Sequence, residues 1–229
     1  MKKLSLTFNK NEICFGTVFL LFQQLLLPSL LLSFSELLVN PLTDAELNLL
    51  YFLINFLCAL LIFRKFIWKT LDITGQGFFR ALTAAGTAYL GYYAASSLIG
   101  TLIYAFFPDF INLNDASISQ ISQQQFALMA VGTVLLVPPV EELLFRGLIF
   151  GNIYNRNRFL AYVLSTVLFS LVHLLGYWNY YTPTQFAIAF LQYLPAGVAL
   201  GWAYAKADTI VAPILLHTLV NLISTLYTR

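Results

Sequence analysis

Apolar residues run along this chain in long unbroken blocks, not in the three-and-four spacing of a soluble helix or the alternation of a half-buried strand. A helix crossing the hydrocarbon core of a bilayer needs about 20 mostly apolar residues. Seven blocks answer to that description: 14–38, 48–63, 81–107, 126–150, 159–176, 185–205 and 209–227. Each predicts a spanning helix. The longest polar connection, PDFINLNDASISQISQQQ at 108–125, reads as a loop with room for an interfacial helix. No repeat, low-complexity tract or soluble domain interrupts the pattern. The expected architecture is therefore all-α: a polytopic transmembrane bundle of about seven spans in a single membrane domain, residues 1–229.

Composition agrees, since 59% of the 229 residues are hydrophobic and only 10% are charged, too few to cover a soluble surface. The net charge of +2 gives no reason to expect a nucleic-acid partner; its distribution is more informative. Lys and Arg collect in cytoplasmic segments of membrane proteins. Here Lys2, Lys3 and Lys10 precede the first block, Arg64, Lys65, Lys69 and Arg80 follow the second, Arg156 and Arg158 follow the fourth, and Lys206 follows the sixth. The opposite connections carry Glu36, Asp44, Glu46, Asp109 and Asp115, with Arg229 the single base on that side. That alternation supports seven spans independently of hydropathy and places the N-terminus in the cytoplasm of a multi-pass cell-membrane protein. The start, Met1-Lys2-Lys3, reads as leading into an uncleaved first span. Cys14 and Cys58 lack metal or redox spacing and read as small core residues.

Against this background, VPPVEELLFRG at 137–147 is anomalous. A charged residue at the centre of a membrane helix opposes insertion by roughly 2.5 to 3.5 kcal/mol, and Glu141, Glu142 and Arg146 all fall inside the fourth block. Glu142 and Arg146 are four apart, so they share a helix face and can pair, an orienting role. Glu141 points about 100° away and has no built-in cationic partner, which suits general-base or general-acid work. The chain's two histidines, His173 and His217, also fall inside blocks. His217 and Asn221 stack on one face of the seventh, two donors able to hold an oxyanion or to bond between helices. Phe169 and His173 repeat the spacing in the fifth, where the ring could orient the imidazole or merely pack. Pro138 and Pro139 predict a bend beside the glutamates. With a rise of about 1.5 Å per residue, Glu141 and His217 lie roughly 13 Å, and His173 about 20 Å, from the presumed cytoplasmic helix ends. Convergence at one level requires the fifth helix to begin deeper in the cytoplasm. Gly197, Gly201 and Ala205 make a close-packing stripe, and Tyr89, Tyr92, Tyr93 and Tyr104 fit packing, interface or a substrate groove.

Three motifs occur in order: EELLFR at 141–146 as E-E-x-x-x-R, FSLVH at 169–173 as F-x-x-x-H, and HTLVN at 217–221 as H-x-x-x-N. On these the chain resembles the CPBP family of intramembrane proteases, which includes the type II CAAX prenyl endopeptidase and bacterial relatives linked to bacteriocin processing or self-immunity. The resemblance covers about residues 126–225, the expected catalytic core. It implies that Glu141 and His173 activate water, that His217 and Asn221 hold the oxyanion, and that Glu142, Arg146 and Phe169 orient the site. Family members commonly have eight helices, one of them amphipathic; RKFIWKTLDITGQGFFR at 64–80 could be that interfacial helix.

The residues leave the metal question open. Two histidines, a glutamate and an asparagine could hold zinc, yet H-E-x-x-H is absent and asparagine is a poor zinc ligand; the expectation is that no cofactor is required. Expected partners are the lipid bilayer and a peptide or membrane-protein substrate delivered from the cytoplasmic side; oligomeric state is not legible. Two non-proteolytic alternatives remain: an immunity or scaffold protein binding a partner in the same cavity, and a small transporter with Glu141 as its protonatable site.

Overall fold

The computed structural model describes residues 3–227, leaving aside the side chains of residues 73, 74 and 76. Lys2 and Arg229, counted above, lie outside the described residues. Within them every regular element is helical and no strand occurs. The helices are α1 (Lys10–Leu25), α2 (Leu27–Glu36), α3 (Asp44–Ile62), α4 (Arg64–Phe106), α5 (Leu113–Gln124), α6 (Phe126–Tyr154), α7 (Arg158–Val172), α8 (Pro183–Ala207) and α9 (Val211–Tyr227).

Local sequence sets their starts. Asn9 with Glu12, Thr43 with Glu46 and Thr182 with Gln185 each form a reciprocal capping box at the heads of α1, α3 and α8. Such boxes satisfy amide donors that a helix N-terminus otherwise leaves orphaned. Asp208, in the left-handed conformation at φ 56°, stops α8.

All seven apolar blocks are helical. By length and composition α3, α6 and α8 can each cross a bilayer, and α1 with α2 is apolar enough to do so only as a pair bent by 47°, with Pro28 in the first turn of α2. α7 and α9 are shorter apolar helices. The connection at 108–125 contains α5 where the sequence left room for an interfacial helix; its head is capped by Asn112 accepting from the amides of Asn114 and Asp115. Segment 64–80 is helical up to Gly77, where helical geometry lapses and a second helix continues, the two together making the 43-residue α4. One expectation needs correction. The fifth span stops at Val172, and at about 22 Å for 15 residues it is shorter than the hydrocarbon core. His173 thus caps a helix end.

Long-range hydrogen bonds gather the connections into two ends. At one, Leu4 exchanges backbone bonds with the Asn155 side chain, the Ser5 amide donates to Asp208, and the Phe66 amide donates to Glu12. This end holds the basic segments around 3–10, 64–65, 156–158 and 206. At the other, the Leu42 amide donates to Ser35, Gln125 to Thr43, and the Leu113 amide to Tyr181. Phe8, Phe63, Phe66, Phe150, Tyr154 and Tyr204, all 5% exposed or less, fill the basic end. One cysteine departs from expectation: Cys14 is exposed on α1, whereas Cys58 is half-buried and packs against the core.

Candidate active site

α6 carries both glutamates on an ordinary α-helical turn, Val137–Glu142, between two π-helical stretches, Val131–Leu136 and Leu143–Gly151. Proline lacks an N–H and its ring crowds the carbonyl one turn back. The wider π turns relieve that crowding, so α6 passes Pro138 and Pro139 as one helix of 29 residues where the sequence suggested a bend.

Beneath the site lies a fully buried ion pair. Arg146 Nη1 donates to Glu142 Oε1 at 3.1 Å, with both side chains 0% exposed. Arg146 Nη2 donates to the Gly197 carbonyl at 3.2 Å, and the guanidinium lies 4.4 Å from the centre of the Phe169 ring. The glycine stripe makes this approach close: a Cβ at Gly197 would come within 2.6 Å of Thr166 Cγ2. Glu142 Oε1 also accepts from His217 Nδ1 at 2.8 Å, so one carboxylate serves a guanidinium and an imidazole.

Glu141 faces the other way, as its position on the helix predicts. Its Oε2 lies 3.9 Å from Nε2 of His173 and 3.9 Å from Nε2 of His217, with no hydrogen-bond partner among the described residues. That distance is too long for a direct bond and suits a bridging water. His173 Nδ1 lies 2.7 Å from the Phe169 carbonyl. A carbonyl can only accept, so Nδ1 holds a proton there, and the opposite nitrogen, Nε2, faces Glu141. His217 differs: its Nδ1 proton goes to a carboxylate, and its Nε2 faces the same Glu141 oxygen. Phe169 lies against both imidazoles, at 4.6 Å and 5.9 Å between ring centres. Asn221 is turned toward α6, donating from Nδ2 to the Thr133 carbonyl at 2.8 Å; its second N–H is uncommitted to that bond.

All four expected catalytic side chains line one cavity of about 740 Å³. Its further walls include Asp44 and Asn48 at the head of α3, Asn114 and Ser117 on α5, and Ser224 near the end of α9. The cavity therefore runs toward the acidic end, whereas the sequence led us to expect access from the basic end. The aromatic packing of the basic end is the reason. A second cavity, about 510 Å³, meets the first at His173, Tyr193, His217 and Asn221 and is walled by Tyr89, Tyr92 and Tyr93. Tyr104, 76% exposed, points elsewhere.

Sequence reasoning missed Tyr193. Its ring stacks on His173 at 4.6 Å, and its hydroxyl donates to Asp115 at 3.0 Å and accepts from Asn114 at 3.1 Å, which ties α5 to the site. No local spacing signals it. Among the described residues no three His, Cys, Asp or Glu side chains are grouped so as to hold a metal ion.

Comparison with known proteins finds similarities over the segment that carries these residues. Residues 123–223 match the family model described as type II CAAX prenyl endopeptidase Rce1-like, the resemblance drawn from the three motifs. The chain is 38% identical over 88 residues to UPF0177 protein YxdF of Lactococcus lactis, covering 38% of this chain and 43% of that protein. It is 34% identical over 100 residues to the putative membrane peptidase YdiL of Bacillus subtilis, covering 43% and 36%. It is 30% identical over 91 residues to the membrane-embedded CAAX protease MroQ of Staphylococcus aureus, covering 38% and 34%. The chain thus matches less than half the length of each of these relatives. No solved structure matches it.

Proposed function

We propose that this membrane protein, whose residues 123–223 carry an Rce1-like domain, is an intramembrane endopeptidase that hydrolyses a peptide bond of a short peptide or protein tail. The observation that carries the proposal is the placing of one free carboxylate oxygen, Glu141 Oε2, midway between two imidazole nitrogens at 3.9 Å each. A water there can donate to Glu141 and to Nε2 of a neutral His173 together. Glu141 takes its proton as the hydroxide oxygen bonds to the substrate carbonyl carbon. The oxyanion so formed needs donors already in place. His217, with Nδ1 held by Glu142, supplies one from Nε2 when that nitrogen carries a proton. The second N–H of Asn221 supplies another. Glu141 then returns its proton to the leaving amide nitrogen, the C–N bond breaks as the oxyanion collapses to a carbonyl, and the carboxylic acid so formed gives its proton to the amine, so that a carboxylate and an ammonium leave.

Each step uses groups of the chain and one water. The donor grouping in the cavity does not make a metal cage, so no step is assigned to a metal. Glu141→Gln keeps the side-chain volume and removes the base. Purified protein incubated with a proteome-derived peptide library and read by mass spectrometry should lose cleavage by about 10²- to 10⁴-fold, with the helical circular dichroism spectrum unchanged. Wild-type cleavage by this variant would overturn the proposal.

A further inference from the structure

On the premise that the site cleaves peptides, we infer that the scissile segment reaches Glu141 from the acidic end of the bundle, which is the extracytoplasmic face, and lies extended along a polar ladder on α3. Three observations carry this. The basic end is closed by packed aromatic side chains, while the cavity over Glu141 continues to the heads of α3 and α5. Because Lys and Arg collect in the cytoplasm, the closed end faces the cell interior and the open end the exterior.

The ladder is the second observation. Asp44, Asn48, Tyr51 and Asn55 recur at spacings of four, three and four, so they share one face of α3, and all four line the cavity. The opposite face is apolar, with Leu53, Leu57, Leu60 and Leu61 exposed where lipid would lie. Tyr51 donates to the Gln23 carbonyl at 3.1 Å and fixes the ladder against α1. Asn55 is 3% exposed; apart from its interaction with the neighbouring Tyr51 hydroxyl, neither its carboxamide nitrogen nor its oxygen has a hydrogen-bond partner among the described residues. Leaving a buried amide unpaired is unfavourable. One donor beside one acceptor complements the C=O and N–H of a peptide unit, so an extended backbone would satisfy both.

Charge is the third. Asp44, Asp115 and Glu141 line the cavity, and none of its lining residues is Lys or Arg. The vestibule therefore favours neutral or basic peptide segments over acidic ones.

Substituted-cysteine accessibility tests this directly. In a background with Cys14→Ser and Cys58→Ala, single variants Ser117→Cys, Asn48→Cys and Asn55→Cys are exposed in intact cells to two membrane-impermeant thiosulfonates, one carrying trimethylammonium and the other sulfonate. All three positions should be modified without permeabilisation, whereas Lys206→Cys at the basic end should react only after it. The cationic reagent should react about tenfold faster than the anionic one at the two α3 positions, and Asp44→Asn should shrink that ratio. Cavity cysteines that react only after permeabilisation, or never, would overturn the access route; equal rates for both reagents would overturn the charge preference. Ser117 is half-buried on α5, so its result stands if Asn55→Cys fails to accumulate. Labelling needs no turnover, and Glu141→Gln should label like its parent, which separates failure of access from failure of the peptidase proposal.

Discussion

Glu142 binds two partners with one oxygen, and the surroundings leave little room for substitution. Arg146 is wholly enclosed, and its charge is balanced by this carboxylate alone at contact distance. Breaking a buried pair by removing one partner typically costs about 3 to 5 kcal/mol, because the remaining charge is stranded. Glu142→Gln should lower stability by about that amount, read as a fall in the thermal midpoint in detergent; the double variant Glu142→Gln with Arg146→Met should recover part of the loss. The pairing of Glu142 with Arg146 is visible in sequence because four residues make a helix turn. The bond to His217, 75 residues away, is not, since it depends on how α6 and α9 are rotated about their axes. The same holds for Tyr193 and His173, whose stacking joins two helices through the turn between them.

Among the helices, α6 and α8 show how local composition becomes fit. The stripe of Gly197, Gly201 and Ala205 is legible as a flat face. What it meets is not: Thr166 stands against Gly197, and Phe150 with Tyr162 against Gly201. Gly197→Val should destabilise by about 1 to 3 kcal/mol through overpacking and should reduce cleavage as well, because it displaces the carbonyl that receives Arg146. Gly100→Ala, on α4 with nothing within 4 Å of an added Cβ, should leave stability unchanged or raise it by up to about 1 kcal/mol. Thermal unfolding of the two variants side by side separates the effects. Only the bounds of α5 were not legible, because its sequence, LNDASISQISQQ, is polar and short, so hydropathy averages over it; its cap, Asn112, was the available signal.

Across the whole molecule, charge and enclosure are arranged in opposition. Basic segments surround a filled end, and acidic ones surround the end toward which the cavity over the polar site runs. A bilayer tolerates such polar groups where they line a cavity. The chemistry proposed there relies on a carboxylate and two imidazoles whose second nitrogens are already committed to a carbonyl and a carboxylate. Because the proposed steps use only Glu141, His173, His217, Asn221 and one water, cleavage should persist in the presence of zinc chelators, and purified active protein should contain well below one zinc per chain by elemental analysis; proportionality between activity and bound zinc would contradict this.

The helical nature of the chain, its residence in a membrane, the sorting of its charges and the three motifs all follow from local properties: transfer free energies, helix period and spacing within a turn. These are additive along the chain and need no knowledge of neighbours. The meeting of Glu141, His173 and His217, the shared oxygen of Glu142, the role of Tyr193 and the side on which the cavity opens follow instead from helix rotation, helix length and which end the aromatic residues fill. Those are settled by packing between segments far apart in sequence, where a hundred-degree turn of one helix, about one residue's rotation, exchanges one set of contacts for another.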